Sequence, residues 1–175
     1  RYTNRALPQR AQSNQSGGGM STANPAVRTA AYIDIENLCG TASPTTYDCE
    51  LVREFCSEHI NPQHTMVIGA CSHHAAPRAS FAWPTAGWLW RSGRDGADNA
   101  LLDEIRDASV KGRFDHIVIG SGDSIFADAV NDLVAAGVRV TVISRSRSLS
   151  SRLANSSVDL VMYDDLPEAP VAAAA

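Results

Sequence analysis

No stretch of this sequence reaches the roughly 18 consecutive apolar residues that a membrane-spanning helix needs. No apolar segment near the first residues resembles a secretory leader, so a membrane partner is not expected. Cysteine is scarce and unpatterned. Cys39, Cys49, Cys56 and Cys71 form no Cys-x-x-Cys unit and no zinc-type spacing with the histidines. That argues for reduced thiols in a cytoplasmic protein rather than a disulfide framework or a zinc site. No internal repeat recurs, which removes repeat architectures. Acidic side chains are missing from the first 28 residues, where Arg1, Arg5, Arg10 and Arg28 lie. The whole chain has 15 basic and 19 acidic residues, a net charge of -4, and only Glu168 among the acids lies beyond Leu166. The middle is thus more acidic than the total indicates. Such a balance argues against a protein that simply coats nucleic acid. Carboxylates gathered around a divalent cation can still serve a polyanion, because the cation inverts the local field.

What is present fits one domain with flexible ends. Gln, Asn, Ser and Gly dominate residues 1–27, and Gly17-Gly18-Gly19 reads as a linker. Met20 is a candidate natural start, the residues before it reading as partly expression-derived; a basic arm touching phosphates is the functional alternative. Residues 28–166 are long enough for a compact domain with its own core. Residues 167–175 are Pro/Ala-rich and read as a second flexible tail.

Inside the domain, apolar runs alternate with helical patterns. Strands are expected at 29–35, 65–70, 87–91, 116–120, 138–143 and 158–162. Thr46 is a candidate cap for a helix over 47–59, with Leu51, Val52 and Phe55 on one face. Further helices are expected over 98–111 and 124–136, the latter stopped by Gly137, and a short one over 148–154. Residues 73–85 are ambiguous because Pro77 and Pro84 interrupt them. Strands apolar on both faces and separated by helices indicate an α/β fold, a mainly parallel sheet between helical layers. Ligands in such sheets bind beyond the carboxyl ends of the strands, where strand order reverses.

Two runs end on an acid at such a position: Ala30-Ala31-Tyr32-Ile33-Asp34 and Ile117-Val118-Ile119-Gly120-Ser121-Gly122-Asp123. If the first and fourth strands are neighbours, these carboxylates face one another, with Asp98 available from the start of a helix. Taken singly, each Asp reads equally well as a turn or helix cap. Together they would repel unless a cation neutralised them, and Mg2+ or Mn2+ prefers carboxylate oxygen. A bound cation of that kind activates water and stabilises charge on a phosphoryl oxygen.

Three segments, Asp34-Ile35-Glu36-Asn37-Leu38, Gly96-Ala97-Asp98-Asn99-Ala100-Leu101-Leu102 and Ser121-Gly122-Asp123-Ser124-Ile125-Phe126, resemble in order and spacing those of the NYN domain, a branch of the PIN-like ribonuclease superfamily. The resemblance runs over about 29–164. It implies a three-layer α/β/α sandwich of PIN-like type and a Mg2+- or Mn2+-dependent nuclease acting on RNA. Carried over by position, Asp34, Asp98 and Asp123 would be the catalytic metal ligands. Asn37 would orient the first acid or the substrate, and Ser121 and Ser124 would hydrogen-bond a phosphate. Hydrolysis would leave a 5′-phosphate and a 3′-hydroxyl. The family pattern reads Ser-Gly-Asp-Ser-Asp-Phe, and here Ile125 stands where its second Asp belongs. That leaves open a weakened domain serving as an RNA-binding or assembly module. Among Glu36, Asp95, Asp103 and Asp128, the loop acid Asp95 is the best substitute for the missing carboxylate, although as a loop acid it reads first as a solvated side chain.

Other residues remain two-sided. Arg145, Arg147 and Arg152 in the Ser/Arg run after the fifth strand suit a phosphate backbone, against the plainer reading of a solvated loop. Arg91 and Arg94 precede the acidic helix and could bind phosphate or simply face solvent. Trp88 and Trp90 share a strand face and are expected to pack inward, which leaves Trp83 as the base-stacking candidate. His73 and His74 read as loop residues. A phosphatase of the haloacid-dehalogenase type needs an Asp with a second Asp two residues on, and position 36 is Glu. A homodimer that lengthens the substrate groove is left open by the sequence.

Overall fold

The structure, a computed structural model, describes residues 27–156 and 158–164. The tails expected at 1–27 and 167–175 fall outside these residues, Val27 excepted. Six strands form one sheet: β1 (Thr29–Asp34), β2 (Thr65–Cys71), β3 (Gly87–Trp90), β4 (His116–Gly120), β5 (Arg139–Ser144) and β6 (Asp159–Met162). Their order is β3-β2-β1-β4-β5-β6, every pair is parallel, and the order reverses between β1 and β4. This is the three-layer α/β/α arrangement expected from the alternation of apolar runs.

The pleat divides the core. Ala31 and Ile33 of β1 point to one face, where α1 (Ile35–Cys39), α2 (Thr46–His59) and α3 (Ala76–Ala82) pack. Ala30 and Tyr32 point to the other, where α4 (Gly96–Val110), α5 (Ala127–Ala135) and α6 (Ser151–Ala154) contribute Leu101, Ile105, Val130, Leu133 and Leu153. Strands buried on both sides are continuous apolar runs because neither face meets water. All four cysteines are free and buried.

Two local details differ from the sequence reading. The cap of α2 is Thr45: its Oγ1 accepts from Asp48 N, while the Asp48 carboxylate accepts from Thr45 N, a reciprocal box that Thr46 lacks. The chain after β1 enters a five-residue helix instead of continuing as strand or loop. Asp34 caps it through Asn37 N, and Gly40, at φ 71°, ends it in the left-handed region. The signal was present as an Asp cap, Glu36 in the first turn and a terminal Gly, but a helix this short has no hydrophobic period to reveal it. Tyr163, just after β6, donates its hydroxyl hydrogen to Leu38 O at 2.6 Å and so anchors α1 from the far end of the domain.

Candidate active site

The acidic residues meet where the strand order reverses. Asp34 is the last residue of β1, Asp123 follows β4 by three residues, and β1 and β4 are hydrogen-bonded neighbours. Asp98 enters from the first turn of α4. Together with Glu36, Asn37, Ser72, Arg91 and Asp95, these three carboxylates line one cleft.

The cleft is held by short polar links. Asn37 N donates to Asp34 Oδ1 at 3.1 Å, and Asn37 Oδ1 accepts from Gly122 N at 3.0 Å. Ser121 Oγ donates to Asp34 Oδ2 at 3.4 Å and accepts from Asp123 N at 3.3 Å. Ser121 is fully buried, so its hydroxyl ties the two acidic turns together and does not face an incoming phosphate. Gly122 is required by crowding: a Cβ there would stand 2.3 Å from Ser144 Oγ and 2.4 Å from Ser148 O.

Charge in the cleft is unbalanced. Asp34 is only 5% exposed, and burial first, then the charge of Asp98, pushes its carboxyl well above the usual carboxylate range. Burial also raises Asp98, with Asp123 and Asp95 adding to the effect. Asp34 and Asp98 interact directly, and of the two Asp34 is the more deeply buried. Five acidic side chains, Asp34, Glu36, Asp95, Asp98 and Asp123, line the cleft against the single arginine Arg91. Asp123 is more exposed and caps the 3-10 turn Ser124–Phe126, its Oδ1 accepting from Ile125 N at 3.0 Å and from Ser124 Oγ at 3.3 Å. Among the described residues no three His, Cys, Asp or Glu side chains stand ready as a metal-binding group. The donor chemistry nevertheless suits a hard divalent cation: the acidic side chains offer oxygen ligands only, and two of them are buried and close enough to act on one another.

The basic residues distribute differently. Arg91 lines the cleft and pairs with Asp103 at 3.2 Å. Arg94 is almost wholly exposed at its mouth, 3.7 Å from Asp95. Asp95 is the one described non-glycine residue with positive φ, at 53°. Arg145, Arg147 and Arg152 do not line the cleft. Arg145 lies against Gly40 and donates to Cys39 O at 3.3 Å, and Arg152 pairs with Asp128 at 2.6 Å. Nearness to a strand end in sequence does not put them in the lining: Arg145 reaches instead to the end of α1 and Arg152 to Asp128 of α5. Ile125 packs partly buried against the α4–α5 side of the core and does not face the cleft. Sequence reasoning gave too little weight to Glu36 and overlooked Ser72: Glu36 accepts from Ser72 N at 3.1 Å and from Ser72 Oγ at 2.7 Å, closing the β2 side.

The aromatic expectations are reversed in part. Trp83 is 4% exposed and belongs to the core, so it offers no stacking face. Trp88 lies over Gly69 and donates Nε1–H to Trp83 O at 3.1 Å. Trp90, expected inside, is 55% exposed.

Comparison with known proteins agrees with this architecture. The family model described as the NYN domain matches residues 28–163. A search of the curated proteins returned no match. Among solved structures, a protein of unknown function from Vibrio parahaemolyticus is similar in fold, with a TM-score of 0.54 and 20% identity over 79% of this chain and 94% of that one.

Proposed function

The chain belongs to the NYN domain family, and from that membership together with its acidic cleft we propose that it is a metal-dependent ribonuclease, cleaving phosphodiester bonds of RNA in the cytoplasm. The observation that carries the reading is the shared cleft of Asp34, Asp98 and Asp123 at the β1/β4 reversal, with two carboxylates crowded and unneutralised. Asp34 and Asp98 would hold Mg2+ or Mn2+, with Asp123 at the rim. When bound, the cation supplies Lewis acidity toward a phosphoryl oxygen and lowers the pKa of water.

The protein's own residues do the positioning. Asn37 and Ser121 keep the two acidic turns in register. Asp34 and Asp98, both raised by burial, would have to be ionised to hold the cation, because ligand carboxylates bind deprotonated. Arg94, exposed beside the mouth, and Arg91, on the cleft wall, draw in the phosphate backbone of a substrate. Ser124, partly exposed beside Asp123, donates its hydroxyl hydrogen to Asp123 Oδ1 and would reach a phosphate oxygen only by turning that hydrogen away from it. Among the described residues no helix is long and apolar enough to cross a membrane.

The test is incubation of single-stranded RNA with the protein and Mn2+, repeated with Asp34→Asn and Asp123→Asn. Cleavage should depend on Mn2+ and fall in both variants; undiminished cleavage in both would remove the proposal. A second reading, an RNA-binding module without turnover, draws on Ile125 and on the absence of a ready three-ligand group among the described residues. RNA retention with no Mn2+-dependent cleavage would favour it.

A further inference from the structure

An apolar groove lies beside the acidic cleft, lined by His73, Ala76, Pro77, Ser80 and Trp90. The two depressions share a wall. Ser72 lines the cleft and His73 the groove; Arg91 lines the cleft and Trp90 the groove. Consecutive residues have Cα atoms about 3.8 Å apart, so the cleft and the groove adjoin at both the β2 and the β3 end, and the alternation of side chains along a strand turns Arg91 toward the cleft and Trp90 toward the groove. The wall is built from main-chain pairing: Trp90 is in register with Cys71, and Arg91 N donates to Cys71 O at 3.2 Å. Ser92 fixes its rim, its Oγ lying 2.7 Å from His73 Nδ1 and accepting from His73 N at 3.1 Å.

Trp90 shares the face of edge strand β3 with Trp88, but Trp88 packs against the core and donates to Trp83 O, whereas Trp90 stands 55% exposed across the groove from Ala76, Pro77 and Ser80 of α3. Leaving over half of an indole in water forgoes a large apolar burial. Phe81, 76% exposed, follows Pro77 by four residues and so lies on the same side of α3. Exposed aromatic faces next to arginine side chains are the chemistry that holds unpaired nucleobases while cations track the backbone.

We propose that Trp90, with Pro77 and His73, forms a stacking subsite for a nucleobase of single-stranded RNA, next to the nucleotide whose phosphate occupies the acidic cleft. The proposal rests on the ribonuclease reading and adds the substrate class: the strand is unpaired there, because a base within a duplex cannot turn its face to an indole. The groove is mainly apolar, so the subsite grips by stacking and tolerates any base.

The experiment uses the full chain with a fluorescent single-stranded RNA decamer. Binding is followed by anisotropy in EDTA, and cleavage in Mn2+. Trp90→Ala should weaken binding roughly five- to a hundred-fold, the range for loss of one stacked base, and raise KM more than it lowers kcat. Trp90→Phe should keep most of the affinity, and the loss should shrink for a dinucleotide. If the wild type cleaves the decamer in an Asp34-dependent way while Trp90→Ala binds and cleaves it equally well, the subsite is wrong and the ribonuclease reading stands. If Trp90→Ala instead changes the sedimentation of the free protein without changing RNA affinity, the patch is a protein interface and the proposal falls. If the wild type neither binds nor cleaves RNA, both fall.

Discussion

Asn37 Oδ1 accepts the backbone N–H of Gly122 at 3.0 Å, joining the turn after β1 to the turn after β4 across 85 positions of sequence. One side-chain amide thereby spaces the loops that carry Asp34 and Asp123. Asn37→Ala leaves the part-buried Gly122 N–H without its partner, a loss of about 1–3 kcal/mol. Urea unfolding should report that decrease, and Mn2+-dependent cleavage should fall with it. A midpoint equal to wild type would show that water replaces the amide at no cost.

A pH dependence follows from Asp34 and Asp98. Both carboxyl groups are raised in the folded protein, by burial first in each case. The folded state then holds more protons than the unfolded one above the ordinary carboxylate pKa of about 4. Stability from this pair is full below that pH and is lost as pH rises through the raised folded values. In EDTA, the melting temperature of the wild type should fall with pH from about 4 upward more steeply than that of Asp34→Asn. Added Mn2+ should recover it for the wild type, by about 2.7 kcal/mol at a hundred times Kd. Parallel pH profiles for the two proteins would disprove the assignment.

Gly122→Ala is predicted to be costly. Its Cβ would meet Ser148 O, a backbone atom, as well as Ser144 Oγ. Overpacking of this kind costs about 1–3 kcal/mol. Thermal unfolding should show the loss. Gly87→Ala is the control: its nearest neighbour would be 3.8 Å away, an ordinary contact.

Ile125→Asp tests the departure from the family pattern. Ile125 is partly buried against the core, so the change should lower stability by about 1–2 kcal/mol. It adds a carboxylate two positions after Asp123 at a side chain that does not face the cleft, so cleavage in Mn2+ should not rise. A gain in rate would mean that position 125 reaches the cation.

The strands were legible because each is a run apolar on both faces, and the parallel α/β class followed from their spacing with helices. The acids at the ends of the first and fourth runs were legible for the same reason. Less visible was anything resting on side-chain company. Ser121 reads as an available hydroxyl in sequence, yet it is buried and occupied by Asp34 and by the main chain of Asp123. The Ser/Arg run reads as a phosphate platform, yet Arg152 pairs with Asp128, an acid 24 positions earlier.

The sequence by itself determined the layered α/β class and the three carboxylates as candidates, because hydrophobic period and residue chemistry are local properties. Tertiary structure alone decided which groups face one another. Strand order brings Asp34 beside the turn of Asp123 and puts Asp98 where its charge acts on Asp34. It also leaves Trp90 exposed across a groove from α3 while Trp83 and Trp88 pack into the core. Those outcomes depend on what packs across the sheet, and period along a strand reports only which residues share a face.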